Sequence, residues 1–227
     1  MMPPPRLEEV HDVIVVRDDD IPGGTKRRVL HCLLHGAEEF VYASPAYGYA
    51  QIALAYACAD AGKEATIFTA KRAVMHARTR EAKDAGAKIV MVPTGYMTNV
   101  QAKARTYAET VGAKLLPFGF DAPEVVEAIA RLAKSLPLRP QEVWSVAGSG
   151  TLTRGLQAGW PQATFHAVRI GKPPQVGRAR LYTAVEKFEQ AARHPPPFAS
   201  CANYDAKAWQ FILRYARPGA LFWNVAA

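Results

Sequence analysis

Short apolar runs, rich in β-branched and aromatic residues, alternate with longer segments of helical composition along most of this chain. Residues 11–17, HDVIVVR, predict a buried strand. Gly23-Gly24 interrupts the pattern, and a helix is predicted from Lys26 to about His35. Further strands are predicted at 39–44, 64–70, 87–95, 113–120, 142–150 and 164–171, several of them running on into a loop. Between them, helices are predicted at 46–62, 71–85, 98–111, 122–135 and 151–159. Gly62, Gly86 and Gly112 serve as stops, and Asp121 is a candidate N-cap. Single helices between strands require parallel pairing through right-handed crossovers, hence an α/β sheet. After Gly171 the texture changes to Pro/Gly-rich loops around a predicted helix at 181–193, a second helix at 206–216 and an apolar end, ALFWNVAA.

Composition narrows the class. The 227 residues suffice for one large domain or two lobes, and no apolar run approaches the ~20 residues of a membrane-spanning helix. The start, MMPPPRLEEV, lacks the apolar core of a signal peptide, and the three scattered cysteines form no CxxC pair. Reduced thiols in a cytoplasm are the expectation. A net charge of +8 favours anionic partners, and a merely solvated basic surface accounts for it equally well.

Three stretches can carry chemistry. Lys26 stands behind a Gly-Gly hinge in PGGTKRR, where a lysine could form a Schiff base with an aldehyde; an ordinary exposed lysine would look the same. SPAYGYAQ begins with a small-residue turn, including Ser44 and Tyr47, between a strand and a helix. In SVAGSGTLTRGL, residues Gly148, Ser149, Gly150 and Thr151 join an apolar strand to a helix. Backbone amides, two hydroxyls and a helix dipole there suit a phosphate, although a tight turn needs the same residues. The loop matches neither a Walker A motif nor a GxGxxG fingerprint. His31, Cys32 and His35 have a spacing that can ligate metal, but no third ligand is obvious and no metal is expected. No G-x-S-x-G elbow points to a serine hydrolase.

Taken in this order, the sequence resembles the tryptophan-synthase-like (fold type II) pyridoxal-phosphate enzymes, nearest the aminocyclopropane-carboxylate deaminase and D-cysteine desulfhydrase branch. Gly23-Gly24-Thr25-Lys26 is similar to the Gly-Gly-Asn-Lys signature whose lysine holds the cofactor. Ser44-Pro45-Ala46-Tyr47-Gly48 stands for the Ser-x-Asn turn, and Pro117 to Asp121 for a Pro-x-Gly-Gly-Ser element. Gly148 to Thr151 stands for the phosphate loop, Tyr204 to Ala208 for a Tyr-x-Gly-Lys-Ala helix, and Asn224 to Ala227 for the His-Thr-Gly-Gly strand end. Ala46 replaces the asparagine that usually bonds the ring oxygen, and Val225 the group that usually meets the pyridine nitrogen.

The resemblance implies a two-lobed parallel-sheet fold, with residues 1–38 and 115–227 as the larger, cofactor-binding lobe and 39–114 as the smaller. It implies pyridoxal phosphate as cofactor, held by Lys26 as a Schiff base and by Gly148, Ser149, Gly150 and Thr151, with Ser44 and Tyr47 lining the ring or the substrate carboxylate. The activity implied is a lyase or deaminase acting on an amino acid or related amine, and a homodimer is the inherited expectation. Two other readings stay open. One is the same chemistry on an amino-acid-modified DNA base, which the positive charge would help to recruit; the other is a ligand-binding or scaffold protein that has lost catalysis.

Overall fold

The computed structural model describes residues 2–93 and 95–227. The chain forms two compact units, one of residues 1–25 with 121–227, the other of residues 26–120. Each is built on its own sheet.

The first unit carries a six-stranded sheet. β1 (Arg6–Val10) and β2 (Val13–Arg17) form an antiparallel hairpin. β7 (Glu142–Ala147), β8 (Thr164–Arg169), β9 (Arg180–Thr183) and β10 (Leu221–Asn224) complete it in the order β1-β2-β10-β7-β8-β9, every pairing beyond the hairpin being parallel. Every residue of β7 and β10 is buried, as expected of central parallel strands covered on both faces. Val15, Trp144, Val168 and Phe222 pack with Trp209 and Ile212 of α7 (Trp209–Tyr215). The helices α5 (Pro123–Ser135) and α6 (Thr151–Gly159) pack closely together, and α6 lies against β7 and β8. Their close approach needs Gly155, where a Cβ would stand 2.5 Å from Ile129 Cβ.

The second unit has a four-stranded parallel sheet in the order β5-β4-β3-β6, from β3 (Glu39–Ala43), β4 (Glu64–Ala70), β5 (Lys88–Val92) and β6 (Lys114–Leu115). Val100, Ala104 and Ala108 of α4 (Met97–Val111) pack on Val41, Phe68 and Val92. The almost wholly buried α2 (Ala50–Asp60) lies against β4, with α3 (Ala77–Asp84) packed on α2. The strand expected at 87–95 ends at Val92, and Thr94 lies outside the described residues.

Several expectations are corrected. The helix predicted at 181–193 is absent; Leu181, Tyr182 and Thr183 pair instead with the edge of β8, and irregular chain follows. Tyr182 lies against Trp144, His166 and Phe211, so packing on the sheet overrides helical composition. Asp121 does not cap α5: Ala122 occupies that position, Pro123 starts the helix, and the Asp121 carboxylate accepts from Arg154. The first helix, α1 (Gly24–Leu30), stops short of His35, and the Lys114 ammonium donates to the carbonyls of Leu33 and His35 at 2.9 and 3.2 Å. The helix predicted at 206–216 is split into a 3-10 turn, Asp205–Ala208, and α7. β1 went unpredicted, since its alternation of Arg6, Leu7, Glu8 and Glu9 has little apolar content.

At the amino ends of β7 and β8, His166 stacks on Trp144 with ring centroids 4.4 Å apart. Its Nδ1 is 3.3 Å from the Tyr182 hydroxyl and its Nε2 is 4.0 Å from Glu142. Burial pushes the imidazole below the ordinary histidine value of 6.5; Glu142 opposes this, while Arg180 and Arg217 add to it. The unfolded chain therefore takes up this proton at higher pH than the folded one, so the stability tied to neutral His166 is complete above 6.5 and is lost as pH falls through the lower folded value.

Two measurements check this packing. Gly155→Ala should lower the free energy of unfolding by about 1–3 kcal/mol despite alanine's better helix propensity, seen as a lower urea midpoint. His166→Phe keeps a stacked ring without a titrating group, and its urea midpoint should fall less than that of the unsubstituted chain between about pH 7.5 and pH 5. Parallel curves would assign the acid limb to other groups.

Candidate active site

The carboxyl ends of parallel strands bind ligands where the strand order reverses, because neighbouring loops there diverge and open a crevice. In the six-stranded sheet, the chain moves from β7 outward to β8 and β9 and then returns to the other side of β7 with β10. The reversal lies between β7 and β10. Gly148 to Thr151 follow the carboxyl end of β7, so the sequence-predicted phosphate loop stands at this point.

The loop is tightly built. Gly150 has φ +92° and is the residue before α6; a Cβ there would lie 1.9 Å from the Gln175 carbonyl oxygen, so no other residue fits. The Gln175 amide donates to Ser149 O at 3.2 Å. The Ser149 and Thr151 hydroxyls are 2.8 Å apart. Below them, the buried Tyr204 hydroxyl is hydrogen-bonded to the Gly148 backbone and to Val146 O at 3.4 Å, and burial raises its pKa well above the ordinary tyrosine value. The amides of the first turn of α6 have no partner within the helix. The loop itself contains no carboxylate, and the nearby Arg154 guanidinium is turned to Asp121 and Gln175. Amides, hydroxyls and a positive helix end without an acid make a donor set that suits a phosphate.

The other side of the reversal is the end of β10. Gly24, at φ +55°, lies so close to it that a Cβ would stand 1.8 Å from Val225 O. Trp223 Nε1 donates to Thr25 Oγ1 at 2.8 Å. The acidic run before this hinge is structural in part: Asp19 receives the Arg17 guanidinium at 2.8 and 2.9 Å and Asp20 receives Arg6 at 2.8 Å. Gly24 and Thr25 are thus fixed at the same edge of the sheet as the glycine loop. Lys26 is the next residue along the chain, half-buried in the first turn of α1.

In the second unit the order reverses between β3 and β6. Ser44 to Gly48 follow the end of β3. This turn is clasped by the buried Gln51, whose Nε2 donates to Ala46 O at 3.0 Å and Gly48 O at 2.9 Å. The fully buried Ser44 hydroxyl donates to Pro45 O at 3.0 Å, so this side chain holds the turn. Tyr47 is half-buried, with Arg72 5.2 Å from its ring and His76 4.5 Å away. The composition of 71–80 showed the basic residues, but not that they fold onto Tyr47. Among the described residues, no group of three His, Cys, Asp or Glu side chains is placed to hold a metal ion.

No family model matches the chain, and no curated protein matches it by sequence. Solved structures do. An ACC deaminase homologue superposes with a TM-score of 0.82 at 15% identity, over 98% of this chain and 89% of that one. The chain has the fold of the fold type II pyridoxal-phosphate enzymes. Its other structural neighbours include the processed form of threonine deaminase isoform 2 from Solanum lycopersicum, with a TM-score of 0.73 at 14% identity, over 98% of this chain and 79% of that one. Another is an Escherichia coli diaminopropionate ammonia lyase in its apo form, with a TM-score of 0.70 at 14% identity, over 100% of this chain and 83% of that one. A fold type II chain of this kind carries both of its reversal points in loops that the sequence had singled out.

The hinge before Lys26 has a direct test. Gly24→Ala presses a methyl group against the Val225 carbonyl and puts a non-glycine residue at positive φ, and should lower stability by about 2 kcal/mol or more in thermal or urea unfolding. A neutral substitution would mean that Gly24 is not held against β10.

Proposed function

We propose that this chain is a pyridoxal-phosphate-dependent enzyme of the lyase or deaminase kind, acting on an amino acid or a related amine. The observation that carries the reading is the glycine loop: an acid-free set of amides and hydroxyls at a helix start, at the strand-order reversal of its own sheet. Its structural neighbours include proteins described as deaminases and ammonia lyases.

Residues Ser149, Gly150 and Thr151 would hold the cofactor phosphate, with Gly148 and Tyr204 supporting the loop from below. Lys26 would anchor the cofactor aldehyde through its amine, on a backbone fixed by Gly24 and Thr25. When bound, pyridoxal phosphate supplies an electron sink for the bonds at the substrate carbon that bears nitrogen. The Lys26 amine would also be the group to take and return the proton at that carbon. The turn from Ser44 to Gly48 would bind the substrate carboxylate through its backbone amides, and Tyr47 would line the substrate side.

The end of β10 bears on the reaction class. Val225 is apolar, and the Asn224 amide is engaged, accepting from Ser200 Oγ at 2.7 Å and donating to Ala199 O at 2.9 Å. Neither residue offers an acid to the cofactor ring. A site without such an acid would favour substrates with a good leaving group, in elimination or replacement, over reactions that need strong electron withdrawal.

The test is chemical. Purified protein supplied with pyridoxal phosphate should turn yellow, and borohydride reduction followed by peptide mapping should place the pyridoxyl group on Lys26. Labelling of Lys172 would overturn the assignment. So would labelling of Lys207, whose ammonium is fully buried and donates to Lys187 O at 2.8 Å.

A further inference from the structure

The six-stranded sheet has a second opening at its other end. A cleft of about 690 Å³ lies among the loops that lead into β7, β8 and β10. Lys134, Arg139 and Arg217 line it, and no carboxylate does. Glu142, the first residue of β7, lies beside it, 3.8 Å from Arg217 Nε. Its other oxygen accepts from Trp144 Nε1 at 2.6 Å and from the Arg217 amide at 3.3 Å, so it offsets Arg217 only in part, and among the described residues no carboxylate pairs with Lys134 or Arg139. Among the described residues, the Arg139 guanidinium donates to its neighbour's carbonyl, Leu138 O, at 2.8 Å and to no carboxylate.

One wall is Trp160, the residue after α6, which is 6% exposed. Its indole N–H is buried and meets no acceptor among the described residues. The loop around it is rigid. Arg178 binds the carbonyls of Pro161 and Ala163 at 2.6 and 3.1 Å, and the Thr164 amide donates to Gln141 O at 2.8 Å.

We propose that this cleft is a binding site for a small polyanion bearing phosphate or carboxylate groups. Its acceptor oxygens would take the guanidinium and ammonium donors of Arg139, Lys134 and Arg217, whose geometry and charge match such groups. β7 separates the cleft from the glycine loop by its whole length, roughly 20 Å. The two sites are distinct, and the cleft stands whether or not the chain binds pyridoxal phosphate.

The full chain should be titrated with inorganic pyrophosphate and, separately, with citrate, at constant ionic strength, by calorimetry and tryptophan fluorescence. Saturable binding of either probe is expected, pyrophosphate alone indicating a phosphate-bearing ligand and citrate alone a carboxylate-bearing one. Lys134→Glu with Arg139→Glu, both on exposed side chains, should weaken binding by about tenfold or more. Ser149→Asp, which sets a carboxylate in the glycine loop, should leave unchanged the component of binding that this pair removes. Three outcomes would overturn the proposal: no saturable binding of either probe, binding indifferent to the Lys134/Arg139 pair, or binding lost in Ser149→Asp but kept in that pair.

Discussion

The pairing of β10 between β2 and β7 is the interaction on which the first unit depends. Leu221, Phe222, Trp223 and Asn224 are all fully buried there. No direct pairing joins the amino-terminal hairpin to the β7-β8-β9 group; β10 supplies both junctions. The same strand creates the reversal of order beside β7, and its end supplies the carbonyl against which Gly24 is seated. Sheet integrity, crevice position and the placement of the hinge before Lys26 therefore share one cause.

Much of this was legible because parallel α/β sheets have a strong sequence rhythm. Runs such as EFVYA, EATIFTA and EVWSVA can be covered on both faces only as central strands, and the helices between them must cross over. The glycine loop was legible too, since Gly148 and Gly150 between a strand and a helix leave few conformations. What escaped prediction depends on partners distant in sequence. The strand at Arg180–Thr183 pairs with the edge of β8 and sets Tyr182 at a tilt against Trp144, ring centroids 5.1 Å apart. The beginning of α2 is set by Gln51, which draws Ala46 and Gly48 into a turn where helical composition alone continued the helix.

The site was legible to the level of loops. Why Gly150 must be glycine became visible only with Gln175, twenty-five residues on, pressed against it. Ser44 stood out as a polar residue at a strand end, yet its hydroxyl closes the turn behind it. The cleft beside Trp160 had no signal at all: Lys134, Arg139, Trp160 and Arg217 come from four separate stretches, and no local pattern announces their meeting.

The two units differ in how the chain builds them. Residues 26–120 form one uninterrupted segment with every strand of its sheet inside it. The other sheet keeps β1 and β2 waiting for β10, some two hundred residues later. During synthesis from the amino end, the inserted unit has all its strands long before the surrounding one does. The hairpin that precedes Lys26 must meanwhile persist as a two-stranded ribbon, which is marginal in water. Its β2 edge, with Val13, Val15 and Val16, stays open to wrong partners until the last strand arrives, so the step most exposed to misassembly is also the final one.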